Sequence, residues 1–117
     1  MKVERCKTIC QRVGAESAQP EAGTKLGIAL STLGQVPING LRHPPENGTN
    51  GWYIWCGDDL RQNVDFFSPL HVEHINEYLP IVSGYLDLPP GYRFLIDENG
   101  YEDVWFDKEL LINGYAQ

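Results

Sequence analysis

Residues 92–106 read YRFLIDENGYEDVWF, two runs of β-forming residues around a turn signal. Asn-Gly at 99–100 favours a type I′ turn, so the stretch predicts a β-hairpin with strands at 92–97 and 101–106. A loop of two or of four residues gives the same pairing parity. One face would then carry Tyr92, Phe94, Ile96, Tyr101, Asp103 and Trp105, and the other Arg93, Leu95, Glu102, Val104 and Phe106. We expect Arg93 and Glu102 to pair charge on one face, and Asp103 to lie among aromatic rings.

A third strand is predicted at residues 52–56, which read WYIWC before a glycine. Alternation puts large side chains on both of its faces, so we expect both faces to be covered. All thirteen aromatic residues fall between Trp52 and Tyr115. Aromatic side chains bury the largest apolar areas. The core is therefore expected to contain Trp52, Trp55, Phe66, Phe67, Phe94, Trp105 and Phe106.

Helices are predicted in three places. Apolar residues at near-helical spacing between Val3 and Val13 indicate a short amphipathic helix that ends before Gly14. Ser68-Pro69 is typical of a helix start, and Pro80 then predicts two short helices at about 69–79 and 80–86, or one kinked helix. Between these, Thr24 would cap a helix that carries Leu26, Ala29, Leu30 and Leu33 and ends at Gly34.

The predicted fold class is α+β, a small antiparallel sheet with helices packed mainly on one face. Residues 14–24 and 36–51 are rich in Gly, Pro and Asn and are predicted to be loops. The length of 117 residues argues for one domain over 1–117, with 1–24 as a peripheral N-terminal segment. No apolar run approaches the roughly 20 residues that span a bilayer, and the N-terminus contains no signal-peptide stretch. We expect a soluble, cytoplasmic protein.

Charge is distributed unevenly along the chain. Nine Lys and Arg against sixteen Asp and Glu give a net charge of −7. Residues 1–45 hold six basic and three acidic side chains, whereas 46–117 hold three basic and thirteen acidic ones. This balance disfavours nucleic acid as a ligand, because phosphate binding needs a basic surface. The acidic part could attract a basic protein partner or could serve solubility alone.

Three cysteines do not form a disulfide framework, so reduced thiols are expected. Cys6 and Cys10 would share a helix face, but no further metal ligands lie nearby, and a buried apolar role is favoured. His71 and His74 are three residues apart and could share a metal. Histidines on a helix surface are the favoured interpretation, and no metal or cofactor is predicted.

The residues with acid or base chemistry form no known catalytic motif: a nucleophile elbow, a phosphate loop and a dinucleotide fingerprint are all lacking. Asp58-Asp59 is interpreted as a turn and cap. Asp103 needs a partner or a raised pKa if it faces rings, and a hydrogen bond from Asn39 or the backbone near Gly40 is the favoured interpretation. Arg42 could bind a carboxylate of a distant strand and fix the long loop, or form an anion site with His43.

Five motifs resemble the bacterial immunity-protein family numbered thirty-three. They are Asn39–Pro45, Asn50–Trp55, Asp65–His74, Leu88–Ile96 and Tyr101–Phe106, and the resemblance covers about residues 36–111 while leaving the N-terminal third outside. The resemblance implies an intracellular protein that binds and neutralises a toxin of interbacterial competition and has no enzymatic activity of its own. It implies no catalytic residue set.

The leading hypothesis is therefore a non-catalytic immunity protein whose acidic surface meets a cognate toxin with a basic surface. The residues predicted to face this partner are Tyr53, Trp55, Asp58, Asp59, Glu98, Tyr101 and Glu102. The alternative is a small-molecule- or metal-binding domain, or an enzyme, with a pocket formed by Arg42, His43, His71, His74 and Asp103. A structural subunit of a larger assembly, with a homodimer in solution, is a third hypothesis.

Overall fold

The computed structural model describes residues 9–45, 48–57 and 67–112. Its strands are β1 (Lys25–Ile28), β2 (Ile38–Arg42), β3 (Thr49–Cys56), β4 (Ser68–His71), β5 (Tyr92–Ile96) and β6 (Glu102–Phe106). Its α-helices are α1 (Ile9–Val13), α2 (Ile75–Tyr78) and α3 (Glu109–Ile112), and its 3-10 helices are Leu30–Thr32, Val72–His74 and Pro80–Tyr85. The α+β prediction is confirmed. None of the helices in the described residues is long and apolar enough to cross a membrane.

The six strands form one sheet in the order β4-β1-β3-β2-β5-β6. β1 and β3 run parallel, and the other four neighbouring pairs run antiparallel. The sheet is therefore mixed and larger than the sequence predicts, with β4 and β6 at its two edges.

The longest strand, β3, lies inside the sheet and has cover on both faces, as predicted. Trp52 and Ile54 on one face are buried in the main core, and Trp55 on the other face is 5% exposed. The main core joins the sheet to a helical layer, which consists of α1, α2 and the 3-10 helices Val72–His74 and Pro80–Tyr85. The buried members of this core are Cys10, Leu26, Ile28, Trp52, Ile54, Ile75, Val82, Leu86, Leu88, Phe94 and Ile96. A second, smaller cluster on the opposite face contains Ala29, Leu41, Trp55 and Leu110.

The predicted helix between Thr24 and Gly34 is wrong. Residues 25–28 form β1, which pairs with β3 on one side and β4 on the other, and only the short 3-10 helix Leu30–Thr32 follows. Leu26 and Ile28 alternate into the main core. Hydrogen bonding to strands on both sides outweighs the helical spacing of the leucines, because strand formation depends on tertiary context.

The predicted loop over 36–51 is also wrong, because it contains all of β2 and the start of β3. Gly40, which indicated a turn, lies inside β2 opposite Phe94 of β5. A Cβ at Gly40 would overlap the Phe94 ring. The glycine therefore marks a close approach between an aromatic ring and the backbone, which is a second common role of glycine inside a strand.

Ser68-Pro69 does not start a helix; it lies in β4, at an edge of the sheet. Proline is tolerated on edge strands because its missing N–H is not needed for a ladder on the open side. The predicted interruption at Pro80 is confirmed, since α2 ends at Tyr78 and a 3-10 helix begins at Pro80.

The predicted hairpin is present, but the predicted pairing parity of its two strands is wrong. Leu95 lies opposite Asp103, and Phe94 lies opposite Val104. The loop has five residues, 97–101, and the Asp97 carboxylate accepts the N–H of residue 99 at 2.8 Å and of residue 101 at 3.0 Å. This side-chain turn adds one residue to the four-residue loop and reverses the faces of β6 relative to β5.

The reversed parity corrects three expectations. Glu102, and not Asp103, faces the aromatic residues of the main core, while Asp103 is exposed. Arg93 and Glu102 therefore lie on opposite faces and do not pair. The prediction that Trp105 and Phe106 are core residues is wrong too, because both are exposed on the edge strand.

The N-terminal part packs on the sheet as far as it is described. The predicted amphipathic helix is confirmed over Ile9–Val13, and 14–24 has no regular helix or strand, as predicted. Cys10 is a free, buried thiol of the main core, and burial raises its pKa. Cys6, Phe66, Asp58 and Asp59 lie outside the described residues.

Candidate partner-binding surface

β6 presents an open backbone edge. It pairs with β5 on one side, and the described residues place no strand on its other side. The Asp107 N–H donates to the Gly91 carbonyl at 2.7 Å, so the odd-numbered residues along β6 direct their backbone groups towards β5. Backbone directions alternate along an antiparallel strand. The N–H and C=O groups of Glu102, Val104 and Phe106 consequently point away from the sheet.

Three aromatic side chains surround this edge. Tyr101 is 54%, Trp105 37% and Phe106 50% exposed, and they are three of the four exposed aromatic residues in the described part of the chain. Trp105 and Phe106 are adjacent in a strand and so point to opposite faces of the sheet. Trp and Tyr are enriched among the residues that contribute most to protein–protein binding. The edge strand thus carries suitable anchors on both faces.

Neighbouring residues fix the orientation of two of these rings. The Arg93 guanidinium lies 5.5 Å from the centroid of the Trp105 ring and donates to the Asp107 carboxylate at 3.1 Å. Phe106 packs edge-on against Tyr92, with ring centroids 5.3 Å apart. Rings that are held in place before binding lose less conformational entropy on complex formation.

The same region is acidic. Residues 97–109 contain six acidic side chains and one basic side chain. Glu98 and Asp103 are exposed beside the aromatic residues. We call the set Glu98, Tyr101, Asp103, Trp105 and Phe106 the β6 surface. Its chemistry suits a partner that combines positive charge with apolar side chains.

Glu102 is engaged inside the molecule. Arg12 of α1 donates to both of its carboxylate oxygens at 2.8 Å, and the Tyr85 hydroxyl donates to Oε2. The hydrogen bonds from Arg12, followed by the one from Tyr85, hold the pKa of Glu102 at about 2. Burial, together with the Glu102 carboxylate, raises the pKa of Tyr85 to about 12. The group ties the N-terminal helix to β6.

Sequence reasoning missed the role of Glu102 because it assigned the wrong parity to β6. The sequence contains one signal for the correct parity: Asp97 precedes Asn99 by two residues, the spacing of an Asx turn. Counting Asp97 to Tyr101 as one loop would have placed Glu102 on the face of Phe94.

Arg42 is buried and has a structural role. Its guanidinium donates to the carbonyls of Asn50 at 2.8 Å and of Ala18 and Leu88 at 2.7 Å, with a longer contact to Leu86 at 3.4 Å. Burial lowers its pKa, against the opposing charge of Asp87. Arg42 therefore binds backbone carbonyls, in place of the predicted carboxylate of a distant strand, and its donors are directed into the protein.

The five residues of the predicted pocket do not converge. His43 is buried, with Nδ1 3.3 Å from the Leu110 carbonyl. His71 and His74 are exposed at the β4 end of the sheet, and Nδ1 of His74 lies 3.0 Å from the Glu77 carboxylate. Asp103 lies on β6, at the opposite edge of the sheet. The described residues hold no group of three or more His, Cys, Asp or Glu side chains arranged for a metal ion.

An open groove lies elsewhere, between residues 19–22 and the helical layer. It is lined by Gln19, Pro20, Glu21, Ala22, Val72, Glu73, Ile75, Asn76, Ser83, Leu86 and Asp87. None of the five predicted pocket residues lines it. Small-molecule sites usually bury most of the ligand, whereas this groove is open to solvent.

Two residues predicted to face a partner pack within the protein. Tyr53 and Trp55 both contact Phe67, with ring centroids 5.1 and 6.3 Å apart. Tyr53 is half-buried and Trp55 is almost fully buried. The Asn39 side chain donates to the Gly57 carbonyl at 2.9 Å, and the structure shows no hydrogen bond from it to the exposed Asp103.

Comparison with known proteins identifies one family. The chain matches the family model of the Imm33-like domain over residues 5–107. No curated protein and no solved structure matches it. The match begins well before residue 36, so the expectation that the N-terminal third lies outside the family is wrong. The packing of α1 and β1 into the main core agrees with this longer match.

Proposed function

Because this chain belongs to the Imm33-like domain family, we propose that it is an immunity protein that neutralises a cognate bacterial toxin through a protein–protein interface. It acts by binding and without catalysis. We place its action in the cytoplasm of the producing cell, where it meets the toxin before or after the toxin enters.

The observation that carries this proposal is the β6 surface. A small domain usually buries its aromatic residues, because their burial contributes most to stability. Here Tyr101, Trp105 and Phe106 are all exposed within one edge strand and the turn before it, on both faces of the sheet. Single exposed hydrophobic residues need no explanation, whereas a group of them with an acidic border is typical of an interaction site.

The charge of the chain supports a basic partner. The net charge is −7, and Glu98 and Asp103 place part of it beside the exposed rings. Opposite charge on a toxin would accelerate association. Such steering is screened over about 8 Å at 0.15 M salt, so the association rate should fall as salt is added.

The alternative functions have less support from the geometry. A pocket function would require residues at opposite edges of the sheet to act together, and a groove lined by described residues is open and lies away from them. The binding function instead uses residues of a single edge strand and the turn before it.

The test uses the proteins encoded by the two genes that flank this one, each expressed from a tightly controlled promoter in a laboratory bacterial host. We expect one of them to stop growth and co-expression of this chain to restore it. The pair should also purify as a complex of defined stoichiometry by size exclusion with light scattering. If neither flanking protein is toxic or forms a complex with this chain, the proposal is contradicted.

A variant pair tests where binding occurs. Tyr101→Ser combined with Trp105→Ala should abolish growth rescue, because both rings belong to the β6 surface. Tyr78→Ser combined with Ile81→Ser removes two exposed hydrophobic side chains of the helical layer and should leave rescue unchanged. Equal rescue by both double variants would place the interface elsewhere.

A further inference from the structure

Resting on the proposed function, we infer that the toxin binds by adding a strand to the open edge of β6. The occupant is an extended segment of the toxin in which basic side chains alternate with apolar ones. Addition of a strand to an exposed sheet edge is an established mode of recognition, in which backbone hydrogen bonds provide affinity and alternate side chains provide specificity.

Within the described ranges, no strand pairs with the outward backbone groups of β6. Glu102, Val104 and Phe106 direct N–H and C=O groups to the open side, as the hydrogen bonds of their neighbours show. An incoming strand can therefore form a regular ladder along the whole of β6.

The other edge of the sheet is a poorer template. β4 has four residues, and one of them is Pro69, which has no N–H to donate. Shortness and proline are two ways in which natural proteins protect a sheet edge from pairing. β6 has five residues and no proline, and it carries exposed rings beside its outward backbone groups.

The side chains of β6 determine the chemistry of the occupant. On one face Asp103 and Trp105 are exposed, so Lys or Arg on the partner strand would contact a carboxylate and an aromatic ring. On the other face Val104 is half-buried and Phe106 exposed, and Glu102 already binds Arg12. Apolar partner residues fit that face. Because neighbouring residues of a strand point to opposite faces, the partner alternates basic and apolar residues.

A second copy of this chain is a worse occupant. An antiparallel copy centred on Val104 would place Asp103 opposite Trp105 and Glu102 opposite Phe106, and β6 has no basic side chain to offer. Two chains of net charge −7 would also repel each other. Charge complementarity therefore favours a basic segment of another protein.

Amide hydrogen exchange measured by NMR tests the inference directly. The probe is the flanking-gene protein that forms the complex, purified with isotope-labelled chain. In the free protein the outward amides of Val104 and Phe106 should exchange faster than the inward amides of Asp103 and Trp105. In the complex they should slow by at least about tenfold, because hydrogen-bonded amides exchange only on opening. The inward amides are internal controls.

Other outcomes separate this inference from the proposed function. A stable complex in which the amides of Val104 and Phe106 exchange as in the free protein overturns strand addition and leaves the immunity function standing. Slow exchange of these amides in the free chain, reversed by dilution, would show that a second copy occupies β6 and would also overturn it. If neither flanking protein binds, both proposals fail.

A backbone variant gives an independent measurement. Val104→Pro removes an outward N–H that no described strand accepts, so thermal unfolding should show a folded protein while toxin affinity falls at least about tenfold, which is 1.4 kcal/mol. Val104→Thr keeps the N–H and should bind within about twofold of the parent. If Val104→Pro does not fold, the exchange experiment decides. If it folds and binds like the parent, strand addition is contradicted.

Discussion

The described part of the chain contains two cross-strand pairs of arginine and tryptophan, one at the centre of the sheet and one at its edge. Arg42 of β2 lies opposite Trp52 of β3, with the guanidinium 5.7 Å from the ring centroid, and both residues are at most 3% exposed. Arg93 of β5 lies opposite Trp105 of β6 at 5.5 Å, and Trp105 is 37% exposed.

The two pairs have nearly the same geometry and opposite consequences. The central arginine has given up water and binds backbone carbonyls, so it stabilises the fold and is unavailable to a ligand. The edge arginine holds a tryptophan on the surface, where it contributes little to stability. Position in the sheet, and not the residue pair itself, determines whether an Arg–Trp pair serves folding or recognition.

Removing the central arginine should have the largest effect on stability. Arg42→Met leaves the carbonyls of Ala18, Asn50 and Leu88 without their buried donor. We expect a loss of about 3–5 kcal/mol in the free energy of unfolding, measured by urea titration, because breaking a buried charged network on one side is costly. Arg42→Lys keeps the charge without the planar fork and should recover part of the loss. Unchanged stability of Arg42→Met would refute the structural role of Arg42.

Substitution of Gly40, which packs against the Phe94 ring, should have the next largest effect on stability. Gly40→Ala places a methyl group against the Phe94 ring, and we expect a loss of about 1–3 kcal/mol, as for other overpacked cores. The matched control is Gly84→Ala in the exposed 3-10 helix, where a Cβ would meet nothing within 4 Å. Equal unfolding midpoints for the two variants would contradict the close packing at Gly40.

The ion pair between Arg12 of α1 and Glu102 of β6 should make a moderate, pH-dependent contribution to stability. The pKa of Glu102 is depressed to about 2 in the folded protein from an ordinary value of 4.5. The ionised carboxylate therefore stabilises the fold above pH 4.5, and that contribution is lost as the pH falls from about 4.5 towards 2. Because the Arg12 side chain is 43% exposed, solvent screens this pair, and we expect a contribution of about 1 kcal/mol.

Urea unfolding of Glu102→Gln at several pH values tests this contribution. The stability difference from the parent should be largest near neutral pH and should shrink below about pH 4.5. Glu98→Gln, which changes an exposed carboxylate of the same hairpin, is the control and should alter stability little throughout. A difference for Glu102→Gln that stays constant down to about pH 2.5 would contradict the ion pair.

The edge pair should affect stability least. Arg93→Ala removes a half-buried ion pair near the surface and the contact with Trp105, and ion pairs near the surface contribute about 0–1 kcal/mol. We expect a thermal unfolding midpoint within a few degrees of the parent. Toxin affinity should fall more clearly, because Trp105 loses the group that holds its ring. A loss of stability as large as that of Arg42→Met would contradict the distinction between the two pairs.

The sequence predicts the elements that are determined locally. The strands Tyr92–Ile96 and Glu102–Phe106 are rich in β-forming residues on both sides of a turn signal. A proline such as Pro80 interrupts a helix whatever its tertiary context. The α+β class follows from these segments.

Elements that depend on distant partners were mispredicted. Leu26 has apolar neighbours at helical spacing in the sequence, and only pairing with β3 and β4 makes this segment a strand. From the sequence alone Gly40 indicates a turn, and only its contact with the distant Phe94 ring explains a glycine inside β2.

The predicted positions of the site residues on β6 were wrong because the predicted hairpin loop was one residue too short. Tyr101 and Glu98 were predicted to face a partner, and the structure shows both exposed. The extra residue in the 97–101 loop exchanged the positions of Glu102 and Asp103, which no argument from β-strand alternation alone could detect. The exposure of Trp105 was missed for another reason, since a hydrophobic strand at the sheet edge and one at the centre have the same composition.

The most direct test of this account is the affinity of the toxin for Trp105→Ala, measured by calorimetry beside Tyr78→Ala, an exposed aromatic residue of the helical layer. Both variants should unfold near the parent temperature. We predict that Trp105→Ala weakens binding by at least about thirtyfold, about 2 kcal/mol, as expected for an interface anchor, while Tyr78→Ala binds like the parent. An affinity for Trp105→Ala within about twofold of the parent would contradict the assignment of β6 as the recognition surface.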